Sequence, residues 1–417
     1  RIPKMVSDYF QDIARIFSGL KTQLEPNADI AIDIGDSIYS GIKVPTDELF
    51  IDVLETLGYE FKESISLRKR ISRNGEVLRQ VLLIFKAPKE KLVPKINRSD
   101  WQKEWQSFKE NLPHKNEPFA KRNWGHPLHS LCSYQGKMKP SLAYFLIKTF
   151  TKPGDTMLDP FAGVGTIPFE GALNGVRSFG FDISPAALTI AKAKLGKIDR
   201  EESVTLIKKL EKYIQSKKLS GQVLELAKQF GFNKKLVDYF EPNTLKEIIL
   251  AREFFKENPP NTPSEHLVFS CLLHILHGNR PYALSRRSHG ITPFAPTGAF
   301  EYKNVISHLK DKVERSFAIA LPKDFVEGDM LFQDATSWWP RHVENVDAII
   351  TSPPFFDSTR FYLANWLRLW LSGWNKEDFE KRPLGFVDEK QKLGFEIYEP
   401  ILRQARERLK PDGVVVF

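Results

Sequence analysis

The stretch Leu158-Asp159-Pro160-Phe161-Ala162-Gly163-Val164-Gly165-Thr166 decides how this chain is read. The apolar run Thr156-Met157-Leu158 before it predicts a short buried strand, and the residues from about Ile167 to Leu173 predict a helix. Between them, Gly163 and Gly165 let the backbone approach a ligand closely and leave a helix N-terminus free to face it. A Gly-x-Gly turn alone fits a dinucleotide site as well as any other. Here the third glycine of the dinucleotide fingerprint is missing, and the Asp159 carboxylate would repel a pyrophosphate.

Working outward, Ser178-Phe179-Gly180-Phe181 reads as the next strand, and Asp182 ends it 17 residues past Gly165. A carboxylate there can accept both hydroxyls of a ribose, a spacing that suits an adenosine ligand. Alternatively it helps cap the helix that Ser184-Pro185 begins. Asp329–Phe332 predicts a further strand, with Asp334 placed to accept an adenine amino group or simply to make a turn. The run Asp347-Ala348-Ile349-Ile350-Thr351 predicts a buried strand that delivers Ser352-Pro353-Pro354-Phe355 at its carboxyl end, where open α/β sheets bind ligands. Two consecutive prolines carry no N–H, so their carbonyls point outward unpaired and suit an exocyclic amino group. Phe355 offers a flat face for a base; a plain proline turn is the alternative.

Taken together these residues resemble the class I S-adenosylmethionine methyltransferases, and more narrowly those that modify exocyclic nitrogens of DNA bases. Asp-Pro-Phe-Ala-Gly-Val-Gly-Thr at 159–166 is similar to that family's cofactor motif, and Ser-Pro-Pro-Phe at 352–355 to its catalytic motif. The resemblance covers about 124–196 and 325–417. It implies a Rossmann-like α/β sheet and S-adenosylmethionine as cofactor. Asp159, Phe161, Gly163 and Gly165 would cradle the methionine part, Asp182 the ribose and Asp334 the adenine. Ser352 and the Pro353 carbonyl, backed by Pro354, would hold the target amino group, and Phe355 would stack on a base flipped out of the duplex. The serine form of the tetrapeptide is commoner among cytosine-N4 enzymes. The expected activity is therefore a site-specific DNA (cytosine-N4) methyltransferase of a restriction-modification or defence setting, acting in the cytoplasm. Adenine-N6 methylation, RNA guanine-N2 methylation, or an inactive nucleic-acid-binding protein on the same frame are the alternatives.

The remaining chain sets the organisation. Residues 1–88 read as helix, strand, helix and hairpin, resembling the back half of a methyltransferase sheet; its partner half would lie before Arg1, or 1–88 would complete the later sheet in permuted order. Residues 89–123 read as a polar linker, 124–196 as the cofactor half, 197–325 as a helical insertion and candidate target-recognition region, and 326–417 as the catalytic half. Within the insertion, Asn279 through His289 interleaves arginine, tyrosine and hydroxyls, which makes Arg280, Arg286 and Arg287 candidates for nucleic-acid contacts or a solvated basic loop. His274 and His277 read as packing residues and Trp366, Trp370 and Trp374 as core or lid; no metal site is expected.

Composition excludes rather than decides. Lys and Arg number 61 against 52 Asp and Glu, a net +9 that allows a polyanionic partner without demanding one. Two cysteines, Cys132 and Cys271, exclude a disulfide scaffold or a cysteine zinc site. No apolar run reaches about 18 residues, so no membrane span is expected. An opening on Arg1-Ile2-Pro3 and a close on Val414-Val415-Val416-Phe417 read as a piece of a longer protein.

Overall fold

In the strand Val77–Lys86 every second residue, Val81, Leu83 and Phe85, is buried, the period of a strand covered on one face. That strand (β5) lies between β1 (Asp29–Gly35) and β4 (Glu60–Ile71), antiparallel to both, in the order β1-β5-β4. The cover comes from α1 (Ile2–Leu20) and α2 (Thr46–Thr56), which bring Phe17, Phe50 and Leu54 against the sheet. Tyr59 fastens the layers, its hydroxyl donating to the Phe17 carbonyl at 2.6 Å. A ribbon of β2 (Ser37–Tyr39) and β3 (Ile42–Val44) completes this unit.

The computed structural model describes residues 2–21, 24–39, 42–71, 75–88, 103, 105–107, 109–110, 125–232, 234–287, 295–354 and 361–417. Its contacts divide the chain into Arg1–Arg98 and Ser99–Phe417. Asn74 and nearly all of the expected linker fall outside the described residues; 105–107 and 109–110 are helical.

The second unit is built on five parallel strands: β6 (Thr156–Asp159), β7 (Arg177–Asp182), β8 (Asp329–Phe332), β9 (Val346–Ile350) and β10 (Leu409–Val416). Their order is β10-β9-β6-β7-β8. Parallel strands need cover on both faces, and alternation supplies it. Met157, Ala348 and Ile350 pack on one side with Ala143 and Ile147 of α3 (Pro140–Phe150) and Ile167 of α4 (Thr166–Leu173). Leu158, Phe181, Val346 and Ile349 pack on the other with Trp339, Ile401 and Ala405. The chain crosses from β6 outward to β8, then returns to β9 on the other side of β6. Their carboxyl ends part there, leaving a crevice.

The helices between β7 and β8 gather on α5 (Pro185–Leu195), whose Ala187, Ile190 and Ala191 share a large apolar core with the helices that follow it. The first two of these are Arg200–Ser216 and Gly221–Gln229. The second has its own N-cap, the Ser220 hydroxyl accepting from the Val223 N–H at 3.2 Å. Trp366, Trp370 and Trp374 are buried in the same core. The last strand has an irregular register between Leu409 and Val414, around Pro411. No helix among the described residues is long and apolar enough to cross a membrane.

Candidate functional site

The crevice holds a cleft of about 530 Å³, within the size range of small-molecule sites. Asp159, Phe161, Gly163, Asp182, Asp334, Ser352 and Pro354 all line it. These residues span nearly 200 positions of sequence, and sheet order brings them to one rim. Gly165 and Pro353 stand beside this lining, and Phe355 lies outside the described residues.

The glycine turn has the backbone its residues require. Gly163 and Gly165 both take positive φ, 52° and 67°, a region costly for other L-residues. Gly165 sits immediately before α4 and donates its N–H to the Ala162 carbonyl at 2.7 Å. A Cβ on Gly165 would stand 2.8 Å from the Ala191 Cβ, so the close packing of α5 also needs glycine there; a Cβ on Gly163 would meet nothing within 4 Å. The turn is thus tight at its second glycine and open toward the cleft at its first.

Asp159 is buried under the turn. Its Oδ1 accepts from the Phe161 N–H at 3.0 Å and from the Thr351 hydroxyl at 2.5 Å. Burial pushes its pKa up to about 7, with the two hydrogen bonds opposing the rise. Thr351 carries no signal of its own in the sequence beyond preceding Ser352. In the fold it joins the glycine turn to the Ser-Pro-Pro segment, and its N–H donates to the Val416 carbonyl at 3.0 Å.

Asp182 is a turn residue and also faces the cleft. Its Oδ1 accepts from the Ser184 N–H at 2.7 Å while the residue lines the cleft. The cap of α5 proper is the Ser184 hydroxyl, which accepts from the Ala187 N–H at 3.3 Å. Burial pushes the Asp182 pKa up to about 6, against backbone hydrogen bonds that lower it, and Asp388 adds a smaller upward push. Asp334 is also a turn residue that lines the cleft. Its Oδ1 accepts from the Thr336 N–H at 2.9 Å and the Thr336 hydroxyl at 2.8 Å, and its Oδ2 from the Lys390 ammonium. Ser352 is exposed at the rim and Pro354 half-buried.

Sequence reading missed the far wall. Gly385 to Asp388 closes one side, with Asp388 buried and its pKa raised by burial. Tyr134 through Lys139 closes another. Neither has a pattern of its own; only Pro140 at the start of α3 marks the second as a helix approach.

The arginines of the basic loop divide. Arg286 is tied inward, donating to the Gly298 carbonyl and, at 3.1 Å, to the Asp238 carbonyl, with its guanidinium 4.0 Å from the Phe300 ring centre. Its charge serves the insertion's own packing. Arg280 and Arg287 are exposed, and His289 lies outside the described residues. His274 accepts from the Ser133 N–H at 3.1 Å and stacks on Tyr282; His277 hydrogen-bonds Ser285 at 2.8 Å.

Residues 3–193 match the DNA methylase family over a stretch that takes in the glycine turn and Asp182. Asp334 and Ser352 lie beyond the matched stretch. Among curated relatives, a type II methyltransferase of Methanocaldococcus jannaschii, M.MjaII, is 34% identical over 104 residues, 25% of this chain and 18% of the relative. A tRNA (guanine(10)-N2)-dimethyltransferase of Methanothermobacter thermautotrophicus is 30% identical over 129 residues, 31% of this chain and 32% of the relative. The chain therefore spans a third or less of these relatives. Among solved structures, the Thermus thermophilus protein TTHA0409 complexed with S-adenosyl-L-methionine is 19% identical, covering 45% of this chain and 77% of its own at a TM-score of 0.19. The cytosine-N4-specific PvuII DNA methyltransferase is 14% identical, covering 48% and 75%, at a TM-score of 0.18.

Proposed function

We propose that this chain transfers a methyl group from S-adenosylmethionine to an exocyclic nitrogen of a DNA base, cytosine N4, after the base has left the duplex. The observation that carries the reading is the single cleft in which Asp159, Asp182 and Asp334, at or just past the ends of three strands, face the Ser352–Pro354 segment from a fourth. A cavity of about 530 Å³ whose acceptors are carboxylates suits a ligand with amino and hydroxyl donors and a positive charge. Open space at Gly163 lets such a ligand lie against the backbone. Bound there, S-adenosylmethionine supplies a methyl group on a positively charged sulfur.

The chain's residues do the rest. Asp182 accepts the ribose hydroxyls, Asp334 the adenine amino group, and the turn over Asp159 seats the methionine end. Ser352 Oγ and the Pro353 carbonyl accept the two N–H bonds of the target amine. An amine nitrogen on a pyrimidine shares its lone pair with the ring, and two acceptors out of plane favour a pyramidal, nucleophilic nitrogen. The N–C bond then forms as the C–S bond breaks, and the spare amine proton leaves through Ser352 to water. A preorganised polar site of this kind lowers a barrier without moving at the moment of reaction.

Titration offers a first check. Asp159 and Asp182 have ordinary carboxyl values near 3.8 when unfolded and about 7 and 6 when folded. Their contribution to stability is therefore full below about pH 4 and is lost as pH rises through 6 to 7. A donor-rich cation favours the ionised forms, so cofactor affinity should rise with pH across that same window. Thr351→Val removes a bond that lowers the Asp159 value. Its midpoint should move to higher pH, and stability should fall by about 1–3 kcal/mol. Calorimetric titration between pH 5 and 8.5 reads both; a flat profile contradicts the roles assigned to these carboxylates.

The activity is tested by incubating the chain with tritiated S-adenosylmethionine and duplex DNA, and in parallel with tRNA, then digesting to nucleosides. Label in N4-methylcytosine is expected. Label in N6-methyladenine overturns the choice of base. Label in tRNA alone favours the RNA guanine-N2 reading, to which the 30% likeness to a tRNA dimethyltransferase points.

A further inference from the structure

The hairpin β4–β5 runs past its own core. Val81, Leu83 and Phe85 are buried beneath the helices, but Val77, on the same face of β5, is exposed. Its partner Ile71 is 78% exposed, the largest value among the described large apolar residues of the unit Arg1–Arg98. Residues 62–71 of β4 are exposed throughout. An exposed edge strand is commonly guarded by a charge or two. This one carries Arg68, Lys69 and Arg70 in succession, which places cations on both faces of the ribbon. Lys69 stands directly opposite Arg79 in the register, a like-charge pair that works against the hairpin. Arg79 is eased by Asp47 at 3.5 Å and Glu48 at 3.9 Å. Among the described residues none of Arg68, Lys69 and Arg70 is in an ion pair.

We propose that this ribbon is a docking surface for duplex DNA, with Arg68, Lys69, Arg70 and Arg79 on phosphates and the Ile71–Val77 pair against the groove. The inference rests on the DNA methyltransferase reading and adds the surface that holds the polymer. Charge complementarity selects the occupant. Cations facing both ways on a two-stranded ribbon match a polyanion that surrounds them, and a DNA groove admits such a ribbon with phosphates on either side. Apolar side chains at its end fit sugar edges or a base step. An anion between Lys69 and Arg79 also turns a repulsion in the free protein into two attractions.

The test uses the full chain and fluorescent duplex DNA over a range of salt concentrations. The triple variant R68A/K69A/R70A should bind about tenfold more weakly or worse near 0.1 M salt. Its log–log salt slope should be lower by about 3, roughly one for each phosphate no longer neutralised. Cofactor affinity and melting temperature should stay as in the wild type, which excludes misfolding as the cause. The variant K208A/K209A/K212A removes the same charge from exposed positions of the insertion and should change the slope less. Equal effects in the two triples mean that net charge alone acts, and overturn the proposal. Wild-type slope and affinity in R68A/K69A/R70A overturn it while leaving the methyltransferase reading intact. A wild-type chain that binds no DNA overturns both, and hairpin-dependent binding of tRNA but not DNA overturns the choice of partner.

Discussion

Ser352→Ala is expected to lower methyl transfer about 100- to 1,000-fold, the usual effect of removing one preorganised polar group that acts at the reacting atom. Ser352 lies two residues past the end of the buried strand β9 and reaches the cleft rim, exposed, without a core role. The substitution removes an oxygen and adds no bulk, so stability should change by under about 0.5 kcal/mol. Cofactor affinity should stay within about twofold, because the carboxylates of the other strands hold that ligand. The loss should fall on kcat rather than on cofactor KM. Lost cofactor affinity by calorimetry would contradict the placement of Ser352 at the amine.

Gly165→Ala is expected to damage the protein through two separate effects. The residue holds φ at 67°, and an alanine there costs about 1–2 kcal/mol. Its Cβ would also stand 2.8 Å from the Ala191 Cβ, and forcing α4 and α5 apart costs about 1–3 kcal/mol more. A combined loss near 3 kcal/mol lowers the melting temperature and displaces the start of α4, so cofactor affinity should fall by at least about tenfold. Gly163→Ala is the control. Its φ is strained, but nothing stands within 4 Å of the added Cβ, so it should lose less stability. A denaturation midpoint lower for Gly163→Ala than for Gly165→Ala would overturn the packing argument.

Local pattern made much of the site legible. Two glycines after an apolar strand, an aspartate at the next strand end and Ser-Pro-Pro after a third are signals that neighbouring residues carry. Such signals follow from backbone chemistry: positive φ needs glycine, and proline removes a donor. The parallel strands were readable because strands buried on both faces are continuously apolar, as Ala348-Ile349-Ile350 is. The wall at 385–388 was not readable. Asp388 and Lys390 sit in a short helix, Val387–Lys390, of ordinary composition, and only folding brings them to Asp182 and Asp334.

The Arg286 side chain shows the same limit from the other direction. Its loop had the composition of a polyanion site, yet the guanidinium is held by the Gly298 and Asp238 carbonyls and the Phe300 ring. In the hairpin, by contrast, composition on β4 alone said only that an edge strand carries charge. The register with β5 set Lys69 against Arg79, and the reach of the helices left Ile71 and Val77 uncovered.

By itself, then, the sequence determined the backbone conformations, the strand ends and the residue types on offer, because these depend on neighbours a few bonds away. Tertiary structure decided which carboxylates share a cleft, that Thr351 ties the glycine turn to the Ser-Pro-Pro segment, and which cations remain outside. Those outcomes depend on contacts between residues as far apart as Asp159 and Thr351. Burial and pairing act through space, so no local pattern carries them.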